Sequence, residues 1–492
     1  MKRTLFTERS LESIATFLGT PRLNLDVMIT GLTHASNEIV EGDLFLAFPG
    51  ARTHGAMFCL DAKKRGARAV LTDTTGADLA VGLPVIVVEN PRRVGGLLSA
   101  WLYGEPMRDM FTVGITGTNG KTTTSTLLYQ IWEGAGFEAG LIGTVETRIG
   151  ADVFQSKRTT PESSDLQSLV SMMYGRKVRK VAMEVSSHAL VLERIRGSHF
   201  SVVAFSNLSQ DHLDFHSSME DYFQAKASLF TFEYSDVAVI NVDDPHGARL
   251  ADECNIRVVR VSRKDRTADW HYASTRSRPN GFDVVIRGIG GVLIEGTLPL
   301  HGEFNLDNAL MAIALAYESG IDPIEISTLL PKLKGARGRL QAVQAGQPFG
   351  AFIDYAHSPD SVERVLQACR EMTTGRVISV LGCGGDRDKS KRPMMGRALL
   401  EGSGIAIFTS DNPRSENPDQ ILREMTVGLA LNLPSQIISD RQLAIEYAVS
   451  LAHPEDLVIV LGKGHEKGQE IGGVTHFFDD RLVLETAIEG LL

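Results

Sequence analysis

Met110-Phe111-Thr112-Val113-Gly114-Ile115-Thr116 runs straight into Gly117-Thr118-Asn119-Gly120-Lys121-Thr122-Thr123, and this junction decides the fold. The apolar run reads as a buried strand, GTNG as a tight loop, and the stretch from Lys121 to Phe137 as a helix. A strand that turns through glycines into a helix lets backbone N–H groups point inward on a phosphate. Lys121 adds a point charge, and the hydroxyl of Thr122 suits Mg²⁺. A strict phosphate-loop pattern would place glycine at 115, where this chain has Ile115. The motif alone implies a nucleoside triphosphate and names no reaction.

Outward from the junction, strand-like and helix-like stretches alternate. Residues 180–187 (KVAMEVSS), 201–209 (SVVAFSNLS) and 236–244 (DVAVINVDD) read as strands with helices between them. That alternation predicts a mostly parallel sheet covered by helices on both faces. Residues 282–299 read as an antiparallel excursion with a Gly-Gly turn, and 305–320 as a helix. Upstream, the apolar runs 43–50, 67–74 and 83–90 surround a helical 56–67, a small α/β unit that ends at a Gly/Pro break near Asp109. Downstream, the basic, glycine-broken stretch 332–341 (KLKGARGRLQ) marks a second boundary. Strands at 351–357, 376–383, 405–411 and 457–464 follow, with amphipathic helices at 359–372 and 441–452. The expectation is an α/β chain of three units: 1–109, 110–334 and 335–492. The third looks Rossmann-like but lacks G-x-G-x-x-G, so its topology implies no nucleotide.

The length of 492 residues fits about three domains at ~150 residues each. With 43% hydrophobic residues, wholesale disorder is excluded, and a net charge of -10 argues against a general nucleic-acid binder. No apolar run approaches the ~18 residues of a membrane helix. Cys59, Cys254, Cys369 and Cys383 form no CxxC pair, which points to a reducing compartment rather than a disulfide framework. Glu8 and Glu12 interrupt the start, so no signal peptide is read there, and the chain is expected to be cytoplasmic and monomeric.

Several residues are ambiguous one at a time. Glu184 ends an apolar strand, where a carboxylate could hold a metal or simply be solvated. His212 by itself reads as a surface or core histidine, and Lys226 as a solvated helix charge. Asn308 could cap a helix, and Asp354 and His357 could close a strand-end turn. DNPR at 411–414 is a good β-turn, and TTPES at 159–163 could be a helix start with proline in first position.

Taken in order, GTNGKTT, MEVSSH, NLSQDHLDFH, YFQAKASLF, FNLDNALMA, GRLQ, DYAHSPDSV, GCGGDRDKSKRP, DNPRSENP and GKGHE resemble the Mur ligases from about residue 30 to the C-terminus. The resemblance implies an ATP-dependent amide ligase, in which a carboxylate attacks the γ-phosphate and an amine then attacks the acyl phosphate. It implies ATP binding by Gly117, Thr118, Asn119, Gly120, Lys121, Thr122 and Thr123, with Asn308, Arg339 and Asp354 at the adenine and ribose ends. Lys121, His212 and Lys226 would be catalytic, with Thr122 and Glu184 near one Mg²⁺ and His212 near a second. Lys226 matches the family's carbamylated lysine. An ammonium has only donors and cannot ligate a cation, whereas the CO₂ adduct of the neutral amine can.

The substrates are implied in the same way. A UDP-N-acetylmuramoyl dipeptide would contact Ser36, Ala51, Arg52, Thr53, Thr159, Thr160, Ser186 and Arg194, although Ala35, Asn37 and Leu192 depart from the family's usual residues. DNPR matches the members that add meso-diaminopimelate, whose pocket would comprise Arg387, Asp411, Asn412, Pro413, Arg414, Gly462 and Glu466. A guanidinium forks onto a carboxylate, and lysine as acceptor would leave Arg414 without that partner. A lysine-adding ligase, and more remotely a folate-polyglutamate ligase, remain alternatives. A guanine-nucleotide switch is disfavoured because the chain holds no Asn-Lys dipeptide; a binding module with an inert ATP site is a further alternative.

Overall fold

The computed structural model describes residues 6–50, 53–278 and 280–491. Its centre is an 11-stranded sheet that runs Asp152–Gln155, Glu146–Ile149, Ala139–Ile142, Lys180–Glu184, Phe111–Thr116, Val202–Phe205, Val237–Asn241, Arg257–Ser262, Trp270–Arg278, Gly281–Arg287, Leu293–Leu298. From Ala139–Ile142 to Trp270–Arg278 every neighbouring pair is parallel; both ends are antiparallel. Helices lie on both faces, as the alternation predicts. Leu127, Ile131 and Trp132 of Lys121–Gly134 pack with Leu310 and Ile313 of Phe304–Glu318 in one apolar layer. Leu166, Val170 and Met173 of Ser163–Gly175 pack with Phe223 of Met219–Ala227 in the other.

The N-terminal unit is a four-stranded parallel sheet, Gly31–Thr33, Asp43–Leu46, Ala69–Thr72, Val85–Val87. The C-terminal unit is a six-stranded sheet, Gln341–Ala342, Gly350–Asp354, Leu457–Leu461, Val377–Leu381, Ile405–Phe408, Gln436–Ile437, parallel except at its first pair. Among the described residues no helix is long and apolar enough to cross a membrane.

Parallel strands bring their carboxyl ends to one edge of a sheet, where ligands of open α/β folds collect. The loop at 117–120, Glu184 and Ser206 all sit at or just past such ends in the central sheet; Asp354, Asp411 and Gly462 do so in the C-terminal one. Five central strands carry no sequence expectation, among them Arg257–Ser262 and Trp270–Arg278. The latter is exposed along its distal half, so its residues lack the apolar run of a strand buried on both faces. The helix after TTPES begins at Ser163 with Glu162 as N-cap, so Pro161 precedes the cap instead of occupying the first turn.

Candidate active site

The loop at 117–120 is tight because its glycines are obligatory. Gly117 and Gly120 have φ of 144° and 89°, and a Cβ at Gly117 would lie 1.9 Å from Ser206 Oγ. The loop is braced from the next strand end. Thr118 N donates to Asn207 O at 2.9 Å, Asn119 N to Asn207 Oδ1 at 3.0 Å, and Ser206 Oγ to Asn119 O at 2.6 Å. The Thr118 and Asn119 N–H groups thus serve Asn207. The first N–H groups of the helix beginning at Lys121, which have no partner within a helix, are the donors left that could meet an anion. Lys121 Nζ donates to the carbonyls of Gly117 and Thr118 at 2.8 and 2.9 Å, and burial pushes its pKa down.

Glu184 is buried, not solvated. It accepts from Thr122 Oγ1 at 3.1 Å, Thr144 N at 2.8 Å and Thr144 Oγ1 at 2.9 Å. A hydroxyl and a carboxylate thus sit side by side as hard oxygen donors for a divalent cation. Lys226 is also buried, contrary to the solvated reading of its helix. Its Nζ donates to Gly117 O at 2.9 Å and lies 4.5 Å from the Tyr222 ring. Burial first, then neighbouring Lys121, hold its pKa well below the ordinary value. His212, with φ of 55°, is lowered to about 4 by burial, then by His188, Lys121 and Lys226, against the opposing pull of Asp211. Its imidazole is therefore neutral and able to act as a ligand. Among the described residues no group of three or more His, Cys, Asp or Glu could hold a metal by itself. The Thr122 hydroxyl and the Glu184 carboxylate adjoin each other, whereas the His212 ring packs with His188 and Tyr222 beside Asp211.

The C-terminal unit reaches this loop. Asn119 Nδ2 donates to Asp360 Oδ2 at 3.3 Å, and Lys391 Nζ lies 3.9 Å from Asp211 Oδ1. Asp354 accepts from Leu340 N at 2.6 Å and Ala356 N at 2.7 Å, which ties the GRLQ turn to the DYAH strand end. Arg339 stacks over Tyr355 at 4.6 Å, and its buried Nε has no hydrogen-bond partner. Asn308 is buried against Gly120, whose added Cβ would meet Asn308 Oδ1 at 2.3 Å.

At the DNPR loop, Asn412 Nδ2 donates to Glu466 Oε2 at 2.8 Å, and Tyr355 OH donates to Glu466 Oε1 at 3.4 Å. Lys463, fully buried and missed by the sequence reading, donates to Asn412 Oδ1 at 3.1 Å, Glu466 Oε2 at 3.3 Å and Gly468 O at 2.6 Å. Arg414 has φ of 52°; its Nη1 donates to Gly385 O at 2.6 Å and its Nε lies 3.5 Å from Glu470 Oε2. Pro413 and Gly462 bound this pocket closely: a Cβ at Gly385 would lie 2.0 Å from Pro413 O, and one at Gly462 2.6 Å from Asp411 Oδ2. Arg387 is exposed at the rim.

The remaining candidates lie at the seam of the N-terminal and central units. Thr159 Oγ1 is 2.9 Å from Thr144 Oγ1; Thr160 Oγ1 donates to Glu184 O at 2.8 Å and receives Ser186 N at 3.1 Å. Arg194 Nε lies 2.9 Å from Glu162 Oε1. Ser36 begins a short turn whose Glu38 pairs with Lys157 at 2.8 Å. Thr53 is exposed, and Ala51 and Arg52 lie outside the described residues. Sequence reasoning missed Thr144, Asn207, Asp211, Lys391 and Lys463. Asn207, Asp211, Lys391 and Lys463 stand inside the motifs given above, which was the one signal available, and Thr144 lies outside them.

Comparison with known proteins matches three successive family models: Mur ligase family, catalytic domain (28–100), Mur ligase middle domain (115–316), and Mur ligase, glutamate ligase domain (338–464). A UDP-N-acetylmuramoyl-L-alanyl-D-glutamate--2,6-diaminopimelate ligase of Streptomyces coelicolor is 48% identical, over 97% of this chain and 96% of the relative. A solved structure of an enzyme with the same name superposes with a TM-score of 0.70 at 31% identity, over 99% of both chains. A folylpolyglutamate synthase of Mycobacterium tuberculosis, at 17% identity and a TM-score of 0.60 over 75% of this chain and 91% of its own, shares the fold. With 48% identity along almost its whole length and all three of its units matched in order, this chain belongs to the Mur ligase family.

Proposed function

We propose that the chain is a UDP-N-acetylmuramoyl-L-alanyl-D-glutamate--2,6-diaminopimelate ligase, an ATP-dependent C–N ligase of peptidoglycan synthesis acting in the cytoplasm as a single chain. The observation that carries the proposal is the pairing, within one chain, of the Lys121 phosphate loop with the DNPR loop at the carboxyl edge of the next sheet, where Asn412 holds Glu466 and Arg414 reaches Glu470. The relatives that share this full length bear that enzyme's name.

The difficulty of the reaction is electrostatic, because an anionic carboxylate must approach an anionic triphosphate. Lys121 and Arg339 supply positive charge there, and Asp354 fixes the Arg339 turn through two backbone bonds. The terminal carboxylate of the sugar peptide attacks the γ-phosphorus, ADP leaves, and an acyl phosphate forms. The acceptor amine then adds to the acyl carbon, and the tetrahedral intermediate expels phosphate to leave the amide. Thr122 and Glu184 would hold one Mg²⁺ and His212 a second, and when bound these ions would neutralise phosphate charge. The suppressed basicity of Lys226 keeps a fraction of its amine neutral, the form that takes up CO₂ to give an oxygen ligand.

On the acceptor side, Arg414 presents a partly engaged guanidinium to the distal carboxylate of diaminopimelate. Glu466, aligned by Lys463, Asn412 and Tyr355, accepts from the distal ammonium. Lysine lacks that carboxylate. The folate ligase shares only the fold at 17% identity. The test is purified protein with ATP, Mg²⁺ and the nucleotide dipeptide: phosphate release should require diaminopimelate, with ¹⁸O from the dipeptide acid in the phosphate. Faster turnover with lysine, or strong acceptor-independent hydrolysis, overturns the assignment.

A further inference from the structure

Gly468–Ile471 and Val474–Phe477 form a two-stranded antiparallel hairpin that turns at Gly472 and Gly473, both with positive φ. Its first strand is fastened along the DNPR loop. Arg414 N donates to Glu470 O at 3.0 Å and Gly472 N to Arg414 O at 2.7 Å. Glu470 N donates to Asn412 Oδ1 at 3.0 Å, and Gln469 Nε2 to Asp411 O at 2.7 Å. The first two bonds hold Arg414 at its φ of 52°, a left-handed conformation that a residue with a side chain keeps only where its surroundings impose it. The same bonds fix the place of the Glu470 carboxylate, whose Oε2 lies 3.5 Å from Arg414 Nε.

The other carboxylates of this loop are committed elsewhere. Asp386 accepts from Ser415 Oγ at 2.6 Å, Asp411 from Asn412 N at 2.6 Å, Glu416 from Arg392 Nη2 at 2.8 Å, and Glu466 from Asn412 Nδ2 at 2.8 Å. Among the described residues the Glu470 carboxylate has Arg414 as its only partner. That contact is weak, because the pair is partly exposed and longer than a charge-assisted hydrogen bond. A carboxylate that forks onto the guanidinium with two parallel bonds is the stronger partner. Glu470 therefore has the charge and the place of a carboxylate ligand without its geometry.

We propose that Glu470 is an exchange carboxylate. It holds the Arg414 guanidinium until the distal carboxylate of the acceptor takes it over, and retakes it as the product, which carries the same carboxylate, departs. This rests on the proposed reaction for the identity of the acceptor. Like charges meet during the exchange, so Glu470 weakens binding of diaminopimelate and speeds release of what is made from it. Lysine brings an ammonium and no distal carboxylate. For lysine, Glu470 is a counter-charge and not a rival.

The experiment compares wild type, Glu470→Gln and Glu470→Ala in the full-length protein. It reads steady-state KM for meso-diaminopimelate, and inhibition by pimelate and by L-lysine. Pimelate has the same carbon chain and both carboxylates but no amine. Glu470→Gln keeps the backbone bonds of the hairpin and removes the charge. It should lower KM for diaminopimelate about threefold to tenfold, strengthen inhibition by pimelate to a similar degree, and not strengthen inhibition by lysine. KM for ATP and for the nucleotide dipeptide should stay within twofold. Glu470→Ala should repeat the pattern, which separates the loss of charge from any contact of the new amide, and it carries the test if the Gln variant does not fold. An unchanged or raised KM for diaminopimelate overturns the exchange role, as does equal strengthening by pimelate and lysine. If wild type does not use diaminopimelate, the proposed acceptor falls and Glu470 falls with it. If wild type uses it and both variants match wild type, the reaction stands and the exchange role alone is lost.

Discussion

Lys226 and Arg441 are both cations buried in α/β units, and they are finished differently. Arg441 donates to Asp480 through Nε at 2.8 Å and Nη2 at 2.7 Å, and to the carbonyls of Leu461 and Ser410 at 2.8 and 3.2 Å. Lys226 has a carbonyl, a ring face and a nearby second lysine, and takes part in none of the ion pairs among the described residues. A buried charge completed by its own chain is architecture: Arg441 clamps the two strand ends that lead into Asp411 and Gly462. A buried charge that the chain leaves incomplete is held for chemistry, because selection for stability alone would replace it with an apolar side chain.

The contrast is tested most severely by Lys226→Met. Turnover should fall about a thousandfold or more, while the urea midpoint stays the same or rises because an unpaired buried cation has been removed. Arg441→Met should behave oppositely. It strands Asp480 and should lose about 3–5 kcal/mol of stability, much of which returns when Asp480→Leu is added. If Lys226→Met destabilises as much as Arg441→Met, the two cations are the same kind of residue and the argument fails.

The same contrast explains what could be read in the sequence. The strand–loop–helix junction, the parallel alternation and the three units were legible because buried parallel strands are apolar runs and glycine turns are local. Trp270–Arg278, paired on both sides, was not, since its half-exposed residues carry no apolar run. Lys121, Glu184 and Lys226 were identified as candidates by motif order, yet neither the burial of Lys226 nor the three donors on Glu184 is a local property. Arg194 was legible as a candidate, but its approach to Glu162 and that of Arg92 were not, because these pairs join residues far apart in sequence. Asn207's capture of two loop N–H groups was hidden for the same reason.

Arg414 lies between the two extremes, with one nitrogen on Gly385 O and another 3.5 Å from Glu470. Arg414→Ala should therefore raise KM for diaminopimelate about tenfold to a hundredfold and leave KM for ATP within twofold. Equal effects on both would place Arg414 with Arg441, as framework.

Glu416, two residues further on, is the paired case at the surface of the same loop. It accepts from buried Arg392 at 2.8 and 3.1 Å and lies 3.0 Å from Lys389, and Arg392 foremost lowers its pKa to about 2 from an ordinary 4.5. A carboxyl whose folded pKa is depressed adds stability that is complete above its unfolded value and disappears as pH falls toward the folded one. The gap in thermal midpoint between wild type and Glu416→Gln should accordingly be widest above pH 4.5 and close between 4.5 and 2. A gap that persists unchanged to pH 2.5 would mean that Glu416 acts through shape and not charge. The pairing around Arg392 would then say nothing about how this loop is held for its substrate, and Arg414 would have to be explained without it.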